Sequence, residues 1–521
     1  MPNETHVERA PAQREHYTDE SIVDLIVQQA KRFAQEHIDS AKIDTEKRIP
    51  SEILSGLAEC GFFGVPIPED YEGLGLGLRE TCHVVAELAC YDRSIATSVG
   101  LHCGLGTRGL IEFGSEELKR NWLPKLASGE CIAAFCATEA GAGSDLSAIK
   151  TTARPVDNDE IEINGEKIYV TNAGFASLFT VLVKTPELGG RRSHALICIP
   201  ASTPGITLGE EESKLGIRGS STRTVTFDKV RVPRSNMLGE TGAGMEQAHR
   251  VLEWGRTIMA SGCIGIARAA CKTSLEYVKT RQQFGRKLIE FEAVRHHLAA
   301  MFSKLYTMEA MVEQVGLCES RSENIATISS AAKIYCSESA FWIADQAIQL
   351  HGGMGCIEET GIALLLRDCR VTRIFEGAND VLLVHTGTAL AASKTVSEQK
   401  QVHTTLPESL HGLSAVWQDS AESFNHTLQE KKKQFGVNII RHQLVLQGLA
   451  RIYVNLFAAS ASLARAKTSS DEPFAKHAAR HLLLDANTHL LSLRHADDEA
   501  SMNQSLVNAV EQNESFLKSF R

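Results

Sequence analysis

The hydrophobic period of this chain changes twice, and that limits the folds open to it more than any other feature. From Ser21 to about Lys125, apolar residues recur at helical spacing, as in SIVDLIVQQAKRFAQEHI and SEILSGLAECGFFG, with PIPEDYEGLGLGL interrupting through Pro and Gly. Between about Glu130 and Leu238 the period falls to two. There, IEINGEKIYVT reads as two strand-like runs about Asn164-Gly165, a hairpin signal, and LFTVLVKT, HALICIP and TRTVTFDKVRV continue the alternation. From Gly242 to about Ser393 helical spacing returns in segments long enough for a packed bundle. A polar run, SKTVSEQKQVHTTLPES, reads as a linker, and His411 to Arg521 is helical again. The expectation is an α+β protein, mainly α. It comprises an N-terminal helical domain (20–133), a middle β-barrel-like domain (134–240), a C-terminal helical bundle (241–392), a linker (393–410) and a helical extension (411–521). A chain of 521 residues suits three to four such units.

Composition removes several classes of function. Hydrophobic content of 43% and charged content of 23% are those of a soluble globular protein. No stretch reaches the roughly eighteen uncharged apolar residues of a membrane span. The net charge of −10 has no block structure beyond the short EKKKQ at Glu430 to Gln434, so nucleic acid is not the expected ligand. Thirteen cysteines without a C-x-x-C pair indicate neither a zinc ribbon nor a disulfide framework, and no metal site is expected. A reducing compartment fits. The first twenty residues mix acids with bases and lack an apolar core, unlike a secretory signal or an acid-poor transit peptide. A cytoplasmic (bacterial) chain is expected, or a processed organellar one on the mitochondrial matrix side.

One carboxylate stands out. TRIFEGAND (Thr372 to Asp380) sets Glu376 between the apolar pair Ile374-Phe375 and a glycine. A buried carboxylate is costly unless it is paired, hydrogen-bonded or used at a raised pKa; otherwise this is a surface Glu near a helix start. A second candidate, the Gly73 to Gly77 run GLGLG, reads as a phosphate loop or, more simply, a turn.

Four motifs in order resemble the acyl-CoA dehydrogenase family over residues 20 to 392. They are FCATEAGAGSD (Phe135 to Asp145), GEKIYVTNAG (Gly165 to Gly174), TRQQFGRKL (Thr280 to Leu288) and QLHGGMGCIEETGIALLLRDCRVTRIFEGAND (Gln349 to Asp380). The resemblance implies an FAD enzyme in which Glu376 removes the α-proton of an acyl-CoA thioester while the β-hydride goes to flavin N5. It makes Phe135, Thr138, Gly143, Ser144, Tyr169 and Thr171 contacts of the flavin or the CoA portion. It makes Arg281, Phe284, Gln349 and Gly353 ligands of the adenine and pyrophosphate of a neighbouring subunit, hence a homodimer. Local readings compete at several of these: turn or strand hydroxyls for Ser144 and Thr171, a solvated helix end for Arg281. Arg256 matches a substrate-side arginine, or else pairs with Glu253 one turn away. Gly255 stands where some members place their base. Ile374 and Phe375 would shield Glu376, and Gly377 would let substrate approach. Tyr169, Ala378 and Gln283 stand where Trp, Thr and Thr are frequent.

The extension resembles in placement that of the very-long-chain branch, whose members contact inner membranes. Leu413, Trp417, Phe424 and Phe435 would either lie on lipid or face a core. Val99, Gly100 and Gly104 suggest a deep pocket for long acyl chains. The resemblance thus implies oxidation of a long-chain acyl-CoA to a trans-2-enoyl-CoA in fatty-acid β-oxidation, with electron-transfer flavoprotein as acceptor. Alternatives on the same scaffold are an oxygen-using flavoenzyme and a non-catalytic assembly factor.

Overall fold

The computed structural model describes residues 20–157, 159–189, 193–393, 406–493, 502–505 and 507–508. Most of the expected linker, and the chain beyond 493 apart from those six residues, fall outside them.

Seven helices open the chain: α1 (Glu20–His37), α2 (Ser40–Glu46), α3 (Ser51–Glu59), α4 (Leu78–Ala89), α5 (Arg93–Leu101), α6 (Thr107–Phe113) and α7 (Glu116–Ala127). Their starts follow capping chemistry. Asp92 caps α5 by accepting from Ile95 N at 2.8 Å, and Ser40 Oγ, at the start of α2, donates to the same carboxylate at 2.6 Å. The glycine run Gly73 to Gly77 is a turn and not a phosphate loop. Its amides are already used, Gly75 N on Ile67 O at 2.8 Å and Leu76 N on Val65 O at 2.9 Å.

The middle domain is one eight-stranded sheet: β1 (Ala133–Cys136), β2 (Thr152–Pro155), β3 (Glu160–Thr171), β4 (Leu178–Lys184), β5 (His194–Pro200), β6 (Ile206–Leu208), β7 (Thr222–Pro233) and β8 (Met237–Leu238), with a helical turn, α8 (Pro186–Gly189), between β4 and β5. The strand order is β6-β7-β3-β2-β4-β5-β8, with β1 parallel to β4. β4 and β5 are buried on both faces, as their unbroken apolar runs require. The expected hairpin at Asn164-Gly165 does not form. β3 passes straight through as one twelve-residue strand, because β7 pairs with it on both sides of the dipeptide. The glycine marks a bulge instead. With φ at 150° it lies against β2, where a β-carbon would meet Thr151 Cα at 2.6 Å.

The bundle is α9 (Gly244–Thr280), a two-strand hairpin β9 (Gln282–Gln283) and β10 (Arg286–Lys287), then α10 (Glu292–Ser320), α11 (Ala326–His351), α12 (Ile362–Arg370) and α13 (Asn379–Ala392). The extension adds α14 (His411–Phe435), α15 (Gln443–Arg465) and α16 (Glu472–Ser492). One continuous apolar core joins the N-terminal helices, the bundle and the extension; one face of the sheet has its own core, and a third cluster packs the sheet on α6, α7 and α9. Trp417 and Phe424 are inside this core, with Trp417 Nε1 donating to Leu456 O at 2.9 Å, and Leu413 and Phe435 pack at its border. These side chains are therefore not a lipid-facing stripe. By length and hydropathy α15 could cross a membrane, although Arg451 interrupts it, and 67% of its apolar window is buried in this core.

Polar contacts seat the sheet on the helices. Asp44 of α2 receives Arg367 of α12 at 2.7 and 3.1 Å and Arg218 at 3.4 Å, and Asp368 accepts from Ile217 N at 2.6 Å. His102, in the π turn that follows α5, accepts from Ala133 N at 3.0 Å where β1 begins.

Candidate active site

Glu376 lies on the connection between α12 and α13, in the left-handed region at φ 55°, followed by Gly377 at φ 107°. Such a conformation is strained for glutamate and needs support. Two cations provide it. Arg256 Nε of α9 donates to Glu376 O at 3.2 Å, and Lys333 Nζ of α11 donates to Gly377 O at 2.8 Å and Asn379 Oδ1 at 2.7 Å. With both carbonyls drawn towards the cations, the side chain is held against α9, where a β-carbon at Gly255 would stand 3.1 Å from Glu376 Oε2.

Glu376 as a residue keeps intermediate exposure, but Oε2 is buried and has no hydrogen-bond partner. Burial pushes the carboxyl up to about 7, against the opposing charges of Lys333, Arg93 and Arg256. The surface-Glu reading fails for this oxygen. Helix α9 lies against the acid, and Phe375 packs on the core; Ile374 points outward and is 54% exposed, so it does not shield the acid as the sequence suggested. Arg256 forms no ion pair with Glu253 among the described residues; it also reaches Ser330 Oγ at 3.4 Å.

A second group gathers on the sheet. Phe135 is buried on β1, and Thr138 O accepts from Ile168 N at 2.9 Å, which brings the loop after β1 beside Tyr169 and Thr171 on β3. Lys167, fully buried, donates to Ala137 O at 3.0 Å and Glu139 Oε1 at 2.8 Å. Glu139 also accepts from Thr151 N at 2.9 Å and Thr151 Oγ1 at 2.6 Å. Burial acts to raise the Glu139 carboxyl, but these donors outweigh it and hold it below its ordinary range. This clamp leaves Gly141, Gly143 and Ser144 exposed on an open loop, with nothing within 4 Å of a β-carbon at either glycine. Tyr169 is 63% exposed at φ 57°.

A third group sits where α9 and α11 end. Tyr277 stacks on His351 at 4.2 Å, which joins the end of α9, just before Arg281 and Phe284, to the end of α11, between Gln349 and Gly353. Phe284 and Gly285 turn the β9–β10 hairpin with φ of 55° and 77°, and Phe284 is 92% exposed. No hydrogen bond or ring contact among the described residues joins this group to the sheet group. Val99, Gly100 and Gly104 are fully buried between α5, the π turn and α9. The Ile258 side chain packs on both glycines, 2.9 Å from a β-carbon at Gly100 and 3.0 Å from one at Gly104.

Sequence reading missed Lys333, Arg93, Glu139, Lys167 and Asn379. Glu139, Lys167 and Asn379 stood inside the quoted motifs without a role of their own, and for Lys333 the signal was a lone lysine in the apolar run SSAAKIYC.

Known proteins agree with this layout. Family models of the acyl-CoA dehydrogenase N-terminal, middle and C-terminal domains match residues 23–130, 134–230 and 242–390. The mitochondrial very long-chain specific acyl-CoA dehydrogenase of Macaca fascicularis is 33% identical over 498 residues, covering 88% of this chain and 75% of its own. An acyl-CoA dehydrogenase from Bacillus anthracis, solved with FAD, superposes with TM-score 0.83 at 25% identity, over 92% of this chain and 89% of its own. Butyryl-CoA dehydrogenase from Megasphaera elsdenii superposes with TM-score 0.69 at 32% identity, over 73% and 100%. With three domain models matched in order around a buried glutamate, the chain belongs to the acyl-CoA dehydrogenase family.

Proposed function

We propose that this oxidoreductase converts long-chain acyl-CoA thioesters to trans-2-enoyl-CoA, with Glu376 as the base that removes the α-proton. The observation that carries this reading is Glu376 Oε2, buried and unpartnered on a carboxyl pushed up to about 7. A base of that strength is matched to proton abstraction near neutral pH, and the surrounding helix keeps water from taking its place. Arg256 and Lys333 hold the turn so that the carboxylate faces substrate; Ser144, Arg256, Phe375 and Gly377, with Val99 and Gly100 deeper in, line the substrate's path.

The cofactor is FAD, which when bound accepts the β-hydride at N5. The residues present suit it. The open glycine loop offers backbone donors, and an exposed tyrosine ring lies beside it for a planar polar ring system. Phe135, Thr138, Gly143, Ser144, Tyr169 and Thr171 form that side. Arg281, Phe284, Gln349 and Gly353 serve the adenine and pyrophosphate end for a second subunit, with Arg281 supplying paired charged donors. A bulky residue as exposed and strained as Phe284 supports a use across a homodimer interface. Electrons leave to an electron-transfer flavoprotein. Preference for long chains rests on the named relative, with Ile258 setting the depth of the acyl site. Mitochondrial and bacterial relatives support a matrix-side or cytoplasmic setting.

Anaerobic bleaching of the purified flavoprotein by butyryl-, octanoyl-, palmitoyl- and isovaleryl-CoA tests the reading. Palmitoyl-CoA is expected to bleach fastest, and Glu376→Gln to slow bleaching by about 10²- to 10⁴-fold. Faster bleaching by butyryl-CoA would refute the chain length. Absence of bleaching by every thioester would refute the reaction, and rapid reoxidation in air with product bound would indicate an oxygen-using enzyme.

A further inference from the structure

Lys333 is a charge in the wrong place for a structural helix residue. It sits on α11 in an apolar run, with no exposed surface. A buried ammonium is costly unless an opposite charge compensates it. Its two hydrogen-bond acceptors, Gly377 O and Asn379 Oδ1, are both neutral. Asn379 is itself fixed: its amide donates to Ser337 Oγ at 3.0 Å and Glu338 Oε1 at 2.7 Å, which turns Oδ1 to Lys333. Glu338 is engaged by Arg373 at 2.8 Å, so its charge is already matched.

The charge left for Lys333 is Glu376. Lys333 from α11, Arg93 from α5 and Arg256 from α9 each act on that carboxylate by charge, and the Cys263 thiol of α9 acts on both the carboxylate and Lys333, with no direct ion pair between Lys333 and Glu376 among the described residues. Arg256 uses its Nε on the Glu376 carbonyl, and Arg93 Nε has no partner. Of the three cations Lys333 does most to offset the burial of Glu376. It also grips the carbonyl of the next residue in the strained turn. The same side chain therefore fixes where the carboxylate points and favours its charged form.

We propose that Lys333 is a positioning residue for proton abstraction: its ammonium, anchored on Gly377 and Asn379, holds the Glu376-Gly377 turn and keeps the Glu376 carboxylate charged and facing substrate. This rests on Glu376 being the base. A lysine that merely packed would lower the rate equally at every pH. One that sets the charge of the base moves the pH profile.

The test follows anaerobic flavin reduction from about pH 6 to about pH 9, with the thioester that bleaches the holoenzyme fastest, in wild type, Lys333→Met, Lys333→Gln and Glu376→Gln. In Lys333→Met the acid limb is expected to move up by about one pH unit, with much of the lost rate recovered at the alkaline end and KM little changed. Lys333→Gln removes the charge but keeps a donor for the Gly377 carbonyl. Its limb is expected to move the same way, which covers the case of a Met variant that retains no flavin. Limbs at the wild-type position, with rates depressed at every pH, would overturn the proposal. Reduction that persists in Glu376→Gln would instead overturn the base itself, and that result is visible without either of the other variants.

Discussion

At the residue scale the site turns on one carboxyl oxygen that no described residue satisfies. Because burial holds the Glu376 carboxyl near 7, only part of it is charged at neutral pH, and a protonated acid cannot accept the α-proton. Flavin reduction by substrate should therefore fall as pH drops through about 7, tenfold per unit, while flavin content stays constant; stopped-flow rates across pH measure it. Gly255 tests the geometry from the other side. A methyl group there would press on Leu105 and stand 3.1 Å from Glu376 Oε2. Gly255→Ala should lower kcat by up to about 10²-fold through displacement of the base, with the flavin spectrum unchanged. An unaltered kcat would show that the carboxylate does not rest against α9.

At the element scale the sheet supplies a rigid clamp for a loop with little contact of its own. Lys167 on β3 and Glu139 after β1 bind across the two motifs that the sequence showed as separate segments. Removing the acid in Glu139→Ala leaves the fully buried Lys167 ammonium uncompensated, a loss of roughly 3–5 kcal/mol. Lowered thermal midpoint and faster flavin release, followed by flavin fluorescence, should both report it. One sequence expectation failed at this scale, and one choice that the sequence left open was decided. Asn164-Gly165 has the local chemistry of a turn, but β7 pairs along all of β3, so the chain bulges rather than reverses. The aromatic stripe of α14 has the pattern of a membrane-surface helix, but α15 is packed beneath it.

At the scale of the whole molecule the helical parts are one body. The extension shares its core with α10 and α13, and Tyr306 of α10 donates to Ser462 O of α15. A chain ended after Ser393 should therefore be aggregation-prone and should melt at a lower temperature than the full protein, as size-exclusion and calorimetry would show. The order of helical, sheet and helical segments was legible because period is a local property, set by which face of a helix or strand meets apolar neighbours. So was the segment carrying Glu376, since four motifs in sequence order mark it. The sequence could not show that Glu376 Oε2 is buried without a partner, that Ile374 faces outward while Gly255 and Phe375 close the site, or that Lys333, Arg93 and Arg256 converge on one acid. Those residues lie on four separate elements. Their distances, and the burial that sets the charge of the base, exist only once α5, α9 and α11 pack around the turn before α13.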